Sequence, residues 1–296
     1  MRTVCEYGHA KINLHLDVLE KMADGYHRVE TVMQTLTLCD EVTLTRRDDA
    51  CGITLECDRD GVPTDEKNLA YQAVKLFFDK IGRSIGVHIR IQKRIPMAAG
   101  LAGGSADAAA ALRGINRMMG EPLTERELCD LGAALGADVP FCIAEGSAFA
   151  DGRGERLHDF PAMPDCAILV ACEGEGVSTP WAYRTLDEGR KETEKDGVPS
   201  RDTDALRQAC ETGDLATLIS ALYNSFEVPV LTRRPVAASV KRQMLEHGAM
   251  GAMMSGSGPS VFGIFADEST AKHAQSSMAE KGIESHLCHP YVPKKT

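Results

Sequence analysis

The segment Pro96-Met97-Ala98-Ala99-Gly100-Leu101-Ala102-Gly103-Gly104-Ser105-Ala106-Asp107-Ala108-Ala109 constrains this chain more than any other. The alternating Val87-His88-Ile89-Arg90-Ile91 predicts a strand entering it. The alanine-rich run predicts a helix leaving it, from Ser105 to about Met119. A strand that turns through glycines into a helix points several backbone N–H groups inward. The helix adds unpaired N–H groups and the positive end of its dipole. Together they form an anion site suited to a triphosphate. Ser105 suits the helix cap, with a hydroxyl able to reach a phosphate or a magnesium ion. A glycine turn that only caps a helix would read the same way locally. The segment lacks Gly-Lys-Ser/Thr after its spacer and lacks Gly-x-Gly-x-x-Gly, which disfavours P-loop kinases and dinucleotide-binding folds.

The rest of the chain supplies a frame for that turn. Its 296 residues suit one large domain or two packed lobes. A net charge of −10 argues against general nucleic-acid binding, which leans on excess Lys and Arg. No apolar run reaches the roughly 18 residues that span a bilayer, and the start MRTVCEYGHAKINLHLDVLE lacks a signal-peptide pattern. The ten cysteines form no Cys-x-x-Cys pair, so they read as reduced thiols of a cytoplasmic protein.

Residues 1–60 read as strand, with alternation at Ile12-Asn13-Leu14-His15-Leu16 and Val42-Thr43-Leu44-Thr45. Asn68 opens an amphipathic helix, LAYQAVKLFFDKIG, and another helix fits 124–135. Short strands are expected to about 172, and a polar stretch, 188–204, reads as a solvated loop. Beyond it the pattern predicts helices at 204–222, 235–247 and 268–281, and strands at 261–265 and 283–288. Strands and helices mix without strict βαβ alternation, so the fold class is α+β. The expected division is 1–160 and 161–296.

Three further pieces carry chemistry. Met254-Ser255-Gly256-Ser257-Gly258-Pro259-Ser260 is a second glycine-rich turn. Lys11 sits inside the alternating Ala10-Lys11-Ile12-Asn13-Leu14, where a lysine reaching solvent is the plainer account. Asp138 sits among apolar residues in Leu135-Gly136-Ala137-Asp138-Val139-Pro140-Phe141, where a helix-end Asp bonding to backbone is the plainer account.

In this order and spacing the pieces resemble the galactokinase, homoserine kinase, mevalonate kinase and phosphomevalonate kinase (GHMP) superfamily, matched at 10–14, 96–109 and 253–260. Ala23-Asp24-Gly25-Tyr26-His27 followed by Glu30-Thr31-Val32-Met33-Gln34 is similar to the kinases of 4-diphosphocytidyl-2-C-methyl-D-erythritol. So are Leu135–Pro140 and Gly176-Val177-Ser178-Thr179-Pro180. The resemblance implies a two-lobed fold, with a ribosomal protein S5-like N-terminal lobe carrying ATP and a ferredoxin-like C-terminal lobe closing the substrate cleft. It implies transfer of the ATP γ-phosphoryl group to the C2 hydroxyl of that small molecule, in the non-mevalonate route to isoprenoid precursors.

The resemblance also implies roles. Asp138 would be the general base and Lys11 its neighbour at the phosphoryl group. The backbone of Pro96, Met97, Ala98, Ala99, Gly100, Leu101, Ala102, Gly103, Gly104, Ser105 and Ala106 would cradle ATP, and Mg2+ would accompany it without an assigned protein ligand. Asn68 would lie near the adenine, although helix capping explains it equally well. Tyr26 and His27 would read the cytosine, Tyr183 would supply a second aromatic face or pack on the core, and Asn13 would meet the polyol or diphosphate. The superfamily pattern is richer in glycine than this loop. Ala98, Ala99 and Ala102 stand where glycine is common and Ala106 where serine is common; alanine keeps the N–H, so phosphate binding survives if these residues keep φ negative, and the detailed shape of the loop is left open. Rival readings are a superfamily kinase for mevalonate, homoserine or a sugar, and a catalytically silent ligand sensor. Asp-Gly-Tyr-His argues against the first, and retention of Lys11 and Asp138 against the second. The sequence is compatible with a monomer or a homo-oligomer.

Overall fold

The computed structural model describes residues 2–47, 51–190 and 201–294. The chain runs through β1 (Thr3–Lys21), β2 (His27–Arg47), β3 (Ile53–Cys57), α1 (Leu69–Ile81), β4 (Gly86–Gln92), α2 (Gly103–Met118), α3 (Glu125–Ala133) and α4 (Val139–Ala144). It continues through β5 (Ser147–Asp151), β6 (Arg156–Asp159), β7 (Ala167–Ala171), α5 (Thr179–Gly189), α6 (Asp204–Thr212), α7 (Leu215–Ser220) and β8 (Tyr223–Asn224). It closes with α8 (Glu227–Arg233), α9 (Pro235–Glu246), β9 (Gly251–Met254), β10 (Val261–Phe265), α10 (Glu268–Ala279) and β11 (Ser285–Cys288). Among the described residues no helix is long and apolar enough to cross a membrane.

The described residues form two compact units, one from 1–10, 39–97 and 102–145, the other from 11–38, 98–101 and 146–296. Strands β1 and β2, 19 and 21 residues long, contribute to both. In the first unit β3 pairs β4 in parallel, Leu55 beside Ile89, and β4 pairs β2 antiparallel, Leu44 beside Ile89. Helix α1 forms because Ala70, Ala73, Val74, Phe77 and Phe78 fall on one buried face. Asn68 starts it by accepting from the Ala70 N–H at 2.8 Å, and Gly82 ends it in a left-handed turn. Helix α2 packs on α1 through small residues, and Ala106 and Ala108 to Ala111 are fully buried. Strand β1 approaches it so closely that a Cβ on Gly8 would lie 2.7 Å from the Ala106 carbonyl. Thr124 and Glu127 close a capping box at the start of α3.

In the second unit β5 pairs β2 antiparallel, Thr31 beside Ala150, and β8 pairs β1 in parallel, His15 beside Tyr223. A separate antiparallel sheet has the order β11-β7-β10-β9. Its apolar side packs on α9 and α10 through Leu169, Phe265, Val240, Met244, Ala274 and Met278.

Several elements depart from the sequence expectation. The helix expected at 204–222 is two helices, α6 and α7, because Gly213 ends the first and Asp214 accepts from the Ala216 and Thr217 N–H groups to begin the second. Helix α4 stands where only short strands were expected. The 188–204 stretch begins inside α5, and its residues 191–200 lie outside the described residues.

Candidate active site

The two glycine-rich segments meet through their backbones. Gly100 has φ +77°, and a Cβ added there would lie 2.2 Å from the Ser255 carbonyl oxygen. The Ser255 hydroxyl donates to the Gly100 carbonyl at 3.1 Å, and the Ser260 N–H donates to the Ala99 carbonyl at 3.2 Å. Asn224 braces the second turn by donating to the Met254 and Gly256 carbonyls at 2.8 and 2.9 Å. Residues 98–101 are therefore held by contacts that any side chain larger than hydrogen at position 100 would break.

Lys11 joins this arrangement. Its backbone N–H donates to the Leu101 carbonyl at 3.2 Å, and its ammonium donates to Asn13 Oδ1 at 2.7 Å. The Asn13 amide donates in turn to the Thr31 hydroxyl at 2.8 Å. Lys11 and Asn13 are 4% and 3% exposed, so the solvent-reaching account of Lys11 does not hold. Asn13 is thus hydrogen-bonded to both Lys11 and Thr31.

Helix α2 begins two residues earlier than the expected serine cap. Its N-cap is Ala102, in the left-handed region at φ +58°, with no side-chain hydrogen bond to the helix. Ser105 therefore lies in the first turn, not at the cap. Ala98 also has positive φ, +50°. The condition of negative φ is thus not met at Ala98 and Ala102, where the turn needs left-handed backbone and alanine accepts it at a cost of about 1–2 kcal/mol each. Uncapped by a side chain, the first-turn amides suit an external anion. Asn68 spends both ends of its amide locally, accepting from Ala70 N–H and donating to the Pro63 carbonyl at 2.7 Å. It is a helix cap.

Beneath the start of α2 lies a buried ion triad. The Lys93 ammonium contacts Asp40 Oδ2 at 2.5 Å and Asp107 Oδ2 at 2.7 Å. Burial raises the Asp107 carboxyl, Lys93 opposes this and Asp40 reinforces it, leaving Asp107 at about 7. Burial alone would lower Lys93, but the two carboxylates reverse that and raise it. The basic Lys93-Arg94 of the sequence is half structural anchor.

Asp138 occupies the N-cap position of α4, yet its carboxylate makes no hydrogen bond to the helix amides. It belongs to the first unit, and Lys11 to the second.

The remaining candidates cluster in the second unit. Tyr26 is 58% exposed, and the Arg153 guanidinium lies 4.2 Å from its ring centroid. Arg153 is itself held by Asp24 Oδ2 at 2.6 Å. His27 is buried and stacks on Tyr183, with centroids 5.0 Å apart and planes at 21°. Tyr183 meets Phe226 edge-on at 4.9 Å. His27 Nε2 lies 3.0 Å from Asp187 Oδ1. Burial lowers the His27 pKa, Asp187 pulls it up, and burial prevails. His27 and Tyr183 are thus one aromatic pair, assembled from β2 and α5, while Tyr26 stands just before β2 beside Arg153.

Comparison with known proteins identifies the arrangement. The GHMP kinases N terminal domain matches residues 68–146, and the GHMP kinases C terminal domain matches 206–284. The 4-diphosphocytidyl-2-C-methyl-D-erythritol kinase of Alkaliphilus metalliredigens is 43% identical over 296 residues, all of this chain and 99% of that protein. The chain belongs to the 4-diphosphocytidyl-2-C-methyl-D-erythritol kinase family. The kinase of that name from Acetivibrio thermocellus is 42% identical, with 96% of each chain covered. A crystal structure of 4-(cytidine 5'-diphospho)-2C-methyl-D-erythritol kinase superposes with a TM-score of 0.82 at 30% identity, covering 98% of this chain and all of that one. The GHMP kinase fold, mixed α+β with its N and C domains, is the one the resemblance implied.

Within this GHMP kinase, four residues escaped the sequence reading. Asn224 and Ser255 build the turn that receives Gly100, Asp187 holds His27, and Arg153 covers Tyr26. Asp187 and Asn224 act across long sequence separations, which no local spacing reveals. Only Ser255, inside a glycine-rich segment already singled out, carried a signal.

Proposed function

We propose that this protein transfers the γ-phosphoryl group of ATP to the C2 hydroxyl of 4-diphosphocytidyl-2-C-methyl-D-erythritol, giving the 2-phosphate and ADP. The observation that carries the reading is the full-length 43% identity to a kinase of that name. It is joined by a buried lysine hydrogen-bonded at the turn that precedes an uncapped helix.

Phosphoryl transfer asks for positioning and charge neutralisation more than covalent chemistry. The first-turn amides at Gly103, Gly104 and Ser105 hold phosphate oxygens, because the Ala102 cap leaves them without a side-chain acceptor. Lys11, oriented by Asn13 and Thr31, presents a fixed positive charge to the transferring group. Asp138 accepts the proton of the attacking hydroxyl. Tyr26, His27 and Tyr183 bind the cytosine by stacking and by the His27 imidazole edge. Among the described residues no group of three His, Cys, Asp or Glu side chains is placed to hold a metal ion. The Ser105 hydroxyl, in the first turn of α2, would be the protein's contact to a Mg2+ that accompanies ATP. Bound there, Mg2+ would neutralise charge on the phosphates.

A coupled assay of ADP release with Mg-ATP tests this reading. The cytidyl substrate should turn over, while mevalonate, homoserine and galactose should not. Asp138→Ala should lower kcat by about 10²–10⁴-fold. Turnover of another acceptor in preference to the cytidyl substrate would overturn the substrate, and a near-normal kcat in Asp138→Ala would overturn the base.

A further inference from the structure

We infer that Asp187 fixes the tautomer of His27 with its proton on Nε2, so that Nδ1 becomes the acceptor that selects cytosine over uracil. The inference rests on the reading that His27 faces the base.

A carboxylate only accepts hydrogen bonds, so the 3.0 Å contact between Asp187 Oδ1 and His27 Nε2 requires the proton to sit on Nε2. The environment favours the neutral ring. Burial is the larger influence on it, Arg190 and Lys21 add to that, and together they outweigh the pull of Asp187. A neutral imidazole protonated at Nε2 has a lone pair at Nδ1. Among the described residues Nδ1 makes no hydrogen bond, so that lone pair is left for a ligand. The ring cannot readily flip to exchange its two nitrogens. It is stacked on Tyr183, which Phe226 holds from the edge.

Cytosine and uracil differ at one edge position. Cytosine places an amino donor there and uracil a carbonyl acceptor. An acceptor at Nδ1 pairs with the first and confronts the second with two opposed lone pairs. Asp187, from α5, thereby sets which nucleobase the second unit receives while itself acting only through His27. It is a positioning residue.

The test compares kcat/KM for the cytidyl substrate and its uridyl analogue in four proteins. Wild type should prefer the cytidyl compound. Asp187→Ala should lower that preference about ten- to a hundredfold, because either tautomer then becomes available. Asp187→Asn, whose carbonyl still accepts from Nε2–H, should keep most of the preference. His27→Ala should abolish it. An unchanged preference in Asp187→Ala with loss in His27→Ala would overturn the tautomer assignment alone. An unchanged preference in His27→Ala would overturn the base-reading role and the inference with it. The wild-type protein gives an independent readout. Its ¹⁵N-histidine spectrum, assigned with the His27 variant, should show Nδ1 unprotonated at neutral pH. A protonated Nδ1 would overturn the inference even if Asp187→Ala failed to fold.

Discussion

The glycine turn and the aromatic group around His27 solve binding in opposite ways. At residues 98–101 the contacts are backbone to backbone or backbone to hydroxyl: Gly100 to Ser255, Ala99 to Ser260, Lys11 N–H to Leu101. At His27, Tyr183, Asp187 and Phe226 they are side chain to side chain. A phosphate is recognised by amides that every residue except proline carries, so the turn tolerates side-chain change wherever the backbone path survives. A nucleobase is recognised by the pattern of donors and acceptors on its edge, so the aromatic group depends on the identity of each member. Substitutions in the first region should therefore act through backbone shape, and those in the second through selectivity and KM.

The sharpest way to break the first half of that contrast is Gly100→Val. The new Cβ would meet a backbone carbonyl at 2.2 Å, in a backbone conformation that β-branched residues avoid. The turn must move away from 254–260. We expect a loss of about 3 kcal/mol of stability, a fall of roughly 5–10 °C in Tm, and at least a hundredfold drop in kcat/KM. Thermal unfolding and the ADP assay check both. A folded protein with near-normal kcat would show that the contact between the turns is dispensable.

Tyr183→Ala attacks the other region. It removes the ring stacked on His27 and leaves Phe226 without its edge partner. Stacking on an aromatic contributes about 1–3 kcal/mol per base, so KM for the cytidyl substrate should rise about ten- to a hundredfold while kcat stays within a few-fold. Tyr183→Phe keeps the ring and should stay close to wild type. Isothermal titration without ATP separates this from any effect on the chemical step. A fall in kcat with unchanged affinity would place Tyr183 on the wrong side of the comparison.

What could be read in the sequence follows from the range of the forces involved. Asn68, Gly82, Thr124 and Glu127 fix their helices by bonds within a few residues, and α1 and α3 stand where their patterns put them. Helix α2 was legible as well, from the alanine-rich run that follows the glycines. Helix α4 was not, since six residues beginning Val139-Pro140 are too short to display a period. Nor was the break at Gly213, which sits inside an otherwise helical pattern and takes effect only with the Asp214 cap. The candidate site divides in the same way. Tyr26, His27 and Lys11 lie in recognisable local motifs, whereas Asp187, Arg153 and Asn224 gain meaning only from what the fold brings to them.

The finest test concerns the two alanines with left-handed backbone. Ala98 and Ala102 hold φ of +50° and +58°, at positions where glycine would adopt the same path without its Cβ crowding the backbone. Ala102→Gly should release about 1–2 kcal/mol of that strain. It also restores about 0.4–1 kcal/mol of unfolded-chain entropy, which opposes the gain. The net expectation is a stabilisation near 0.5 kcal/mol, or a rise of about 1–2 °C in Tm, with kcat/KM unchanged or slightly raised. The sign carries the information. A rise means that the backbone path of the turn is what matters and that its alanines are tolerated at a small cost. A fall with reduced activity would mean that the Ala102 methyl packs usefully at the start of α2, and that the turn relies on side chains after all.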